Sequence, residues 1–445
     1  MSVPQSERPI TKAAPNQKVP HRWRNLSILS GTTIVDNTEA GLVNGVFPSI
    51  AASLRLETSH LGIIAALGKV ASVPAGPFWV WLATKIGRRW VLVLTTFLCG
   101  AFGIGAALSQ DFVGLLVFTT LMAMAAIGGS PISMAVISDS FGDRLRSRAM
   151  SYYFAALQLA GLLITPLLAL FLTLTDGWRY AMGVLAGVCF IVGLLVLAFF
   201  RDPGIGAADR LDGVTAPKAT AARVPVRQVL GLFKIPSYTV MMLSRLLSGH
   251  LLILIFGVQF LVTERGIPNA LAVIVALPFG LGYTVGTLLI GGLLPKLDKM
   301  MGESARVLVL QLAQLLFGVA AFFATQIQYS DFVVYALLWA AMGACQGLNP
   351  PVNRPIVAAV VLPELRGQAF AIWLSVFETI AWAIFAILAG SLAATLGLQG
   401  VLFWVLVVLM IVNAAFLSIL YVTYPRDVAR VRRELEARSV ETPAN

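Results

Sequence analysis

The sequence predicts an all-α integral membrane protein whose twelve transmembrane helices form two pseudo-symmetric six-helix bundles. Three observations carry this: a composition too apolar for water, apolar runs too long for strands, and a lopsided distribution of lysine and arginine. Of 445 residues, 58% are hydrophobic and only 12% are charged, with mean hydropathy +0.85. Soluble domains carry roughly 45–50% apolar and about 25% charged residues. A chain this long, folded in water, would expose more apolar surface than one core can hide. Soluble enzymes and disordered chains are excluded, and so are nucleic-acid binders despite the net charge of +11.

The tail Met1–Arg24 is polar and has no short apolar core, so no cleavable signal peptide is expected. The first apolar run would act as an uncleaved signal. Apolar runs cover roughly 25–52, 61–83, 90–109, 112–138, 149–172, 180–200, 236–262, 270–294, 306–327, 332–361, 368–394 and 400–422. They are about twice as long as the ten-residue strands of a barrel. They are therefore helices, which satisfy their own backbone in lipid. The expected organisation is an N-terminal tail (1–24), a first bundle (25–200), a linker (201–235), a second bundle (236–422) and a basic tail (423–445).

Basic residues set the orientation. The tails and the loops on their side hold 26 lysines and arginines, the loops on the other side hold 3, and Lys69, Arg245 and Arg354 lie inside spans. Both termini are thus expected in the cytoplasm, with the chain multi-pass in the cytoplasmic (inner) membrane. The segment Arg426–Arg438 has helical character and is expected at the anionic lipid surface. Cys99, Cys189 and Cys345 lie in apolar runs without metal-binding spacing, so buried thiols and no metal are expected.

The two halves echo each other. An offset of 220 pairs Arg146 with Arg366, Pro131 with Pro351 and Gln158 with Glu378, and an offset of 211 pairs Lys85 with Lys296 and Glu39 with His250. Duplicated halves are common in transporters.

A charge at mid-bilayer costs at least about 2.5–3.5 kcal/mol, so it should face the interior or a watery cavity. Seven ionisable residues stand within spans: Asp36, Glu39, Lys69, Arg245, His250, Arg354 and Glu378. Spans 3, 6, 9 and 12 carry none and are expected to face lipid. Asp36 and Glu39 share a helix face, and two such carboxylates resist double ionisation. One of them is a candidate proton carrier, unless Lys69 or Arg245 neutralises it and the pair is structural. Lys69 is a counter-ion or a substrate ligand. Arg245 is a candidate ligand for an anionic group. His250, about 140° round a continuous helix from Arg245, either handles protons or is a satisfied structural residue. Glu378 is a further candidate proton carrier.

In span 10, Cys345-Gln-Gly-Leu-Asn-Pro-Pro-Val-Asn-Arg-Pro355 cannot stay an uninterrupted helix. A break there should line a cavity and bring Asn349, Asn353 and Arg354 together as substrate ligands, the alternative being a packing kink. Only His21, His60 and His250 supply imidazoles, and no nucleotide or metal motif exists, so an enzyme is not expected.

The segment Leu82-Ala-Thr-Lys-Ile-Gly-Arg-Arg89 is similar to the loop signature of the major facilitator superfamily, with Thr84 where the family usually has Asp. Gly292–Lys299, Asp139–Arg148 and Gly177-Trp-Arg179 resemble further family stretches. The resemblance implies helices 1, 4, 7 and 10 around a central cavity. It also implies a gating loop built on Lys85, Gly87, Arg88 and Arg89. The first helix resembles Spinster-like lysolipid transporters, with Asp36-Asn37 in place of their Asp-Arg. The helix 4 arginine of those proteins and of drug–proton antiporters is absent from Met122–Pro131. The expected function is secondary transport of a small organic solute, anionic or amphipathic, by proton-coupled alternating access. The alternative is export of hydrophobic drugs or lysolipids. Expected partners are the solute, H⁺ or Na⁺ and membrane lipid, with no cofactor, no nucleic acid and a monomeric chain.

Overall fold

A computed structural model describes residues 19–56, 58–169, 171, 176–208 and 225–440, and these are helices and their connections, with no strand among them. Residues 1–18 of the expected tail and 209–224 of the expected linker lie outside the described residues. The first half contains α1 (Arg22–Leu54), α2 (Thr58–Ile86), α3 (Arg88–Leu108), α4 (Phe112–Ser140, broken after Ala126), α5 (Asp143–Ala169) and α6 (Gly177–Phe199). In the second half, α7 is Pro236–Leu246 and Leu251–Thr263, α8 is Asn269–Ala276 and Pro278–Met301, and α9 is Ser304–Gln326. Helix α10 (Phe332–Val360) is broken after Gly347. Helix α11 starts at Arg366 and passes through a π-helical stretch, Ile372–Phe377. It ends where Gly397, at φ 68, turns the chain into α12, which closes at Leu417. Helix α13 is Leu420–Val440.

Nine of these helices, or ten with the bent α7, are long and apolar enough to cross a membrane among the described residues. Helix α1 carries the polar residues Asn25, Asp36 and Asn37, and α5 carries Asp143–Arg148 in its first turns and Gln158 further along. The α5 helix also begins earlier than the apolar run suggests, because its polar first turn is ion-paired rather than solvated. Large apolar side chains stand exposed along α3, α6, α9 and α12, among them Ile104, Ile191, Phe323 and Ile411. These helices form the lipid-facing bands expected of the charge-free spans.

The broken helices follow from lost backbone donors. Pro350 and Pro351 cannot donate to the carbonyls of Gln346 and Gly347. The Asn349 side-chain amide (3.2 Å) and the Thr287 hydroxyl (2.8 Å) donate to them instead. The related break in α4 frees the Met124 carbonyl, which accepts from the Trp79 indole at 2.7 Å. Glycine at 128 is required there, since a Cβ would stand 2.6 Å from the Trp79 ring.

The duplicated arginines do the same work in both halves. Arg146 donates to the Ser138 carbonyl (3.0 Å) and Arg366 to the Ala358 carbonyl (2.9 Å), each eight residues back. They anchor α5 to the end of α4 and α11 to the end of α10. The sparse basic residues of the opposite end are also used locally. Arg179 donates to the Ala107 carbonyl and Arg265 to the Thr325 carbonyl, capping the C-termini of α3 and α9.

The halves meet along α2/α11 and α5/α8. A Cβ on Gly76 would lie 1.9 Å from Ser375 Oγ, and one on Gly291 would lie 1.8 Å from Ser151 Oγ. At the basic end, buried Asp139 of α4 accepts from Arg88 of α3 at 2.6 Å and from Arg366 of α11 at 3.0 Å. Beside it, Arg306 of α9 binds Asp143 of α5 at 2.5 Å, with Asp298 and the Tyr424 hydroxyl as further partners. Both ion pairs that join the halves among the described residues therefore sit at this one end. Arg88 also holds Asp202, at the start of the linker, at 2.5 Å. In the expected gating loop, Gly87 turns at φ 93, Arg89 donates to the Leu197 carbonyl, and Lys85 stacks over Trp81 at 3.9 Å. Thr84 donates to the Trp81 carbonyl of its own helix. Asp139 supplies the carboxylate that the loop lacks.

The C-terminal tail packs one side against the helices and leaves Arg426, Arg432 and Arg433 exposed. In α13, Tyr424 and Asp427 are buried, the Asp427 carboxylate accepts from the Ser237 N–H at the start of α7, and Arg438 binds Glu364 at 2.7 Å.

Replacing Gly291 with Leu forces α5 and α8 apart at their closest approach. The expected outcome is a wider separation of spin labels at Trp90 and Met300, with helix content unchanged and about 1–3 kcal/mol lost from thermal stability. An unaltered label distance would show that the contact does not set the spacing of the halves.

Candidate functional site

Between the halves lies a cavity of about 440 Å³. The first half contributes Asn37, Lys69, Ser130, Tyr153, Phe154 and Gln158. The second contributes Arg245, His250, Tyr283, Asn349, Asn353, Arg354, Trp373 and Glu378. The breaks in α4, α7 and α10 all border this space, as expected where irregular backbone must line a cavity.

Arg354 is 8% exposed, and its guanidinium lies over Trp373 at 4.4 Å and Phe154 at 5.1 Å, one ring from each half. Its Nη1 donates to Asn353 Oδ1 at 2.8 Å, and its Nε has no partner. Among the described residues no carboxylate pairs with it. A buried cation with unused donors at a cavity wall has the chemistry to accept an anion, and its aromatic flanks offer stacking to a flat ligand.

Arg245 is differently placed, and here the sequence reading needs correction. It is not a free ligand: its Nη2 binds Glu378 Oε1 at 3.0 Å. Nor is it turned away from His250, whose Nε2 stands 3.4 Å from Arg245 Nη1. The 140° separation assumed an unbroken helix. The chain instead breaks between Leu246 and Leu251, and Gly249 lets it approach α12, where a Cβ would meet the Val405 carbonyl at 2.2 Å. His250 Nδ1 faces Ser248 Oγ at 2.9 Å.

Asn349 lines the cavity, but its amide is committed. It accepts from Gln314 at 2.8 Å and donates to Gln346 Oε1 at 3.0 Å. Gln314 accepts from Asn413 at 3.4 Å, which accepts from Ser244 at 2.7 Å. This chain ties α7, α9, α10 and α12 together inside the second half. Asn353 serves Arg354. Sequence reasoning missed Gln314, Asn413, Tyr283, Phe154 and Trp373, because uncharged amides and rings inside apolar runs give no signal of which way they point.

Asp36 is buried behind the wall and is not among the lining residues; the Thr96 hydroxyl donates to it at 3.3 Å. The Glu39 side chain lies outside the described residues. Lys69 lines the cavity, exposed to it. Asp36, Cys99 and Cys189, from α1, α3 and α6, place one carboxylate oxygen and two sulfurs within 4.8 Å of one another. No spacing pattern could reveal a cluster drawn from three helices. The weak Cys99 contact to the Asp36 carbonyl, at 3.8 Å, belongs to the same packing. A divalent cation here would need two thiolates beside a carboxylate in fully buried surroundings, so the three fit a packed cluster better than a metal centre.

A Gln314→Leu variant should lose about 1–3 kcal/mol, the cost of stranding the amides of Asn349 and Asn413. Thermal unfolding in detergent reads that loss. Unchanged stability would return Asn349 to the list of free ligand groups.

The family model of the Major Facilitator Superfamily matches residues 29–303 and 279–444. The 3-(3-hydroxy-phenyl)propionate transporter of Escherichia coli (strain K12) is 25% identical over 378 residues, covering 81% of this chain and 89% of that protein. The 4-hydroxybenzoate transporter PcaK of Pseudomonas aeruginosa is 26% identical over 238 residues, covering 49% of this chain and 51% of that one. Among solved structures, the human organic anion transporter MFSD10 superposes with TM-score 0.70 at 16% identity, covering 89% of this chain and 100% of that one. The helical halves, the cavity between them and the matched family model make this chain a member of the Major Facilitator Superfamily, a transporter and not an enzyme.

Proposed function

We propose that the protein moves a small organic acid, with an aromatic acid as the best fit, across the cytoplasmic membrane by proton-coupled alternating access. The observation that carries this is Arg354, a buried guanidinium without a carboxylate, set between Phe154 and Trp373 at the cavity wall. Among the described lining residues Arg245, Lys69 and Arg354 are cationic and Glu378 alone is acidic. An anion therefore improves the charge balance, and a neutral drug or lysolipid leaves it unimproved. Tyr153, Phe154, Tyr283 and Trp373 supply ring surfaces. The names of both relatives, a hydroxyphenylpropionate transporter and a hydroxybenzoate transporter, describe acids of this shape. The proton is assigned to the acidic and imidazole groups of the site, Glu378 and His250, with Asp36 and Glu39 as the further candidates on α1. Closure of the basic end by Asp139 and Arg306 supports a state in which the cavity opens to the other side.

Purified protein in liposomes should accumulate 4-hydroxybenzoate when driven by a pH gradient, acid outside, and ignore 4-hydroxybenzamide. Arg354→Gln should weaken acid binding at least tenfold, about 1.4 kcal/mol or more, in a protein that melts normally. Equal transport of acid and amide, or full affinity in the Gln variant, would shift the assignment to an exporter of neutral amphiphiles. A sodium gradient driving uptake in place of the pH gradient would change the ion.

The 26-to-3 basic split supports cytoplasmic termini. In intact cells an impermeant thiol reagent should label a cysteine placed at Gln110 and spare one placed at Met300, both exposed positions at opposite ends. The reverse pattern would invert the topology.

A further inference from the structure

The contacts around Arg245 point to how one proton accompanies one acid, an inference that rests on the anion reading above and specifies its coupling step. Arginine has donors only. Since Arg245 Nη1 faces His250 Nε2 at 3.4 Å, that nitrogen must be the bare acceptor, and the ring proton then lies on Nδ1 toward Ser248 Oγ at 2.9 Å. His250 is neutral in this arrangement and acts as a positioning residue that steadies Arg245. The other branch of the same guanidinium holds Glu378 Oε1 at 3.0 Å. Glu378 reaches the cavity from the end of the π-helical stretch of α11, with 32% of its side chain exposed to it. The groups that face it are Arg245 and His250 from α7, Arg354 from α10, Lys69 from α2 and Tyr283 from α8. Its counterpart at offset 220, Gln158 of α5, lines the same cavity as an uncharged amide.

We infer that the substrate carboxylate, docked on Arg354, displaces Glu378 from Arg245, and that Glu378 takes up one proton as it leaves. A carboxylate between the two arginines competes for the donors that Glu378 occupies. Glu378 then loses its near counter-ion while a second anion stands beside it, and two adjacent carboxylates in such surroundings do not both stay ionised. An O–H bond forms on Glu378 as one O–H bond of a hydronium ion in the cavity breaks, leaving neutral water, and no other covalent bond changes. The occupied site carries the same net charge as the empty one, so the acid crosses without net charge. When the acid leaves on the far side, Glu378 returns to Arg245 and releases the proton there.

Titration calorimetry of the purified protein with 4-hydroxybenzoate and 3-(3-hydroxyphenyl)propionate, in buffers of different ionisation enthalpy, counts the protons. The wild type is expected to take up about one proton per acid bound, with affinity falling about tenfold per pH unit. Glu378→Gln, which imitates the protonated state, should bind without proton uptake and with a flat pH profile. If stranding Arg245 unfolds that variant, the double change Glu378→Gln with Arg245→Gln removes both charges and should also bind without proton uptake. Retention of wild-type proton uptake in either variant, or none in the wild type, overturns the exchange while leaving anion transport intact. Failure of the wild type to bind either acid overturns both, and so separates the two failures.

Discussion

A charge in the middle of this molecule is costly, and the architecture follows from how each one is handled. Where a partner is available the charge becomes a joint between helices. Asp139 is the clearest case, a fully buried carboxylate shared by Arg88 of its own half and Arg366 of the other. Removing one member of such a set strands the rest, at a cost of about 3–5 kcal/mol. The basic end is therefore a coupled network: Asp139 joins Arg88 and Arg366, while Arg88 also holds Asp202 and Arg366 the Ala358 carbonyl. Arg306 repeats the arrangement with Asp143, Asp298 and Tyr424. The family loop usually places an Asp where this chain has Thr84, and the latch survives because its carboxylates come from α4 and α5.

The same constraint separates scaffold from site. The amides of Gln314, Asn349 and Asn413 satisfy one another, so they bind helices together and offer little to a ligand. Arg354 has been left with stacking partners instead of a carboxylate. A lone buried guanidinium is unstable by itself, and it is tolerated where an incoming anion can complete it. Arg245 stands between these cases, matched by a carboxylate that is itself exposed to the cavity.

Much of this was legible in the sequence because it is written in composition and period. The spans, the duplicated halves and the break after Gly347 follow from apolar run length, repeated offsets and prolines. The offset pairing Arg146 with Arg366 is matched by carbonyls at the same distance back along the chain, Ser138 and Ala358. Pairings between distant helices were not legible. Arg245 and Glu378 are separated by most of the second half, and nothing local in either segment names the other. The meeting of Arg245 and His250 was hidden for a different reason: Gly249 breaks α7 without a proline to announce it. Asp36, Cys99 and Cys189 gather from three helices, so spacing along the chain carried no trace of them. The inward contacts of α13 were not legible either, because its buried polar residues, Tyr424 and Asp427, look solvated in sequence.

The halves do not contribute alike to the cavity. The first supplies rings and amides, Tyr153, Phe154 and Gln158, with Lys69 its one described cation; the second supplies Arg245, Arg354 and Glu378. At the cavity wall, Arg354 makes contacts that cross the divide, with Trp373 from its own half and Phe154 from the other. Rocking the halves must loosen one of these stacks, each worth about 0.5–2 kcal/mol. Inverting a two-state balance from 1:99 to 99:1 takes about 5.5 kcal/mol. The stack is too weak to hold a conformation against the ion pairs of the basic end, yet large enough to sense which conformation is present. A ligand whose ring lies against Phe154 while its carboxylate lies on Arg354 touches both halves at once. Its binding energy then depends on their relative position, the condition for occupancy to bias the latch, whereas a ligand confined to one half would leave it unmoved.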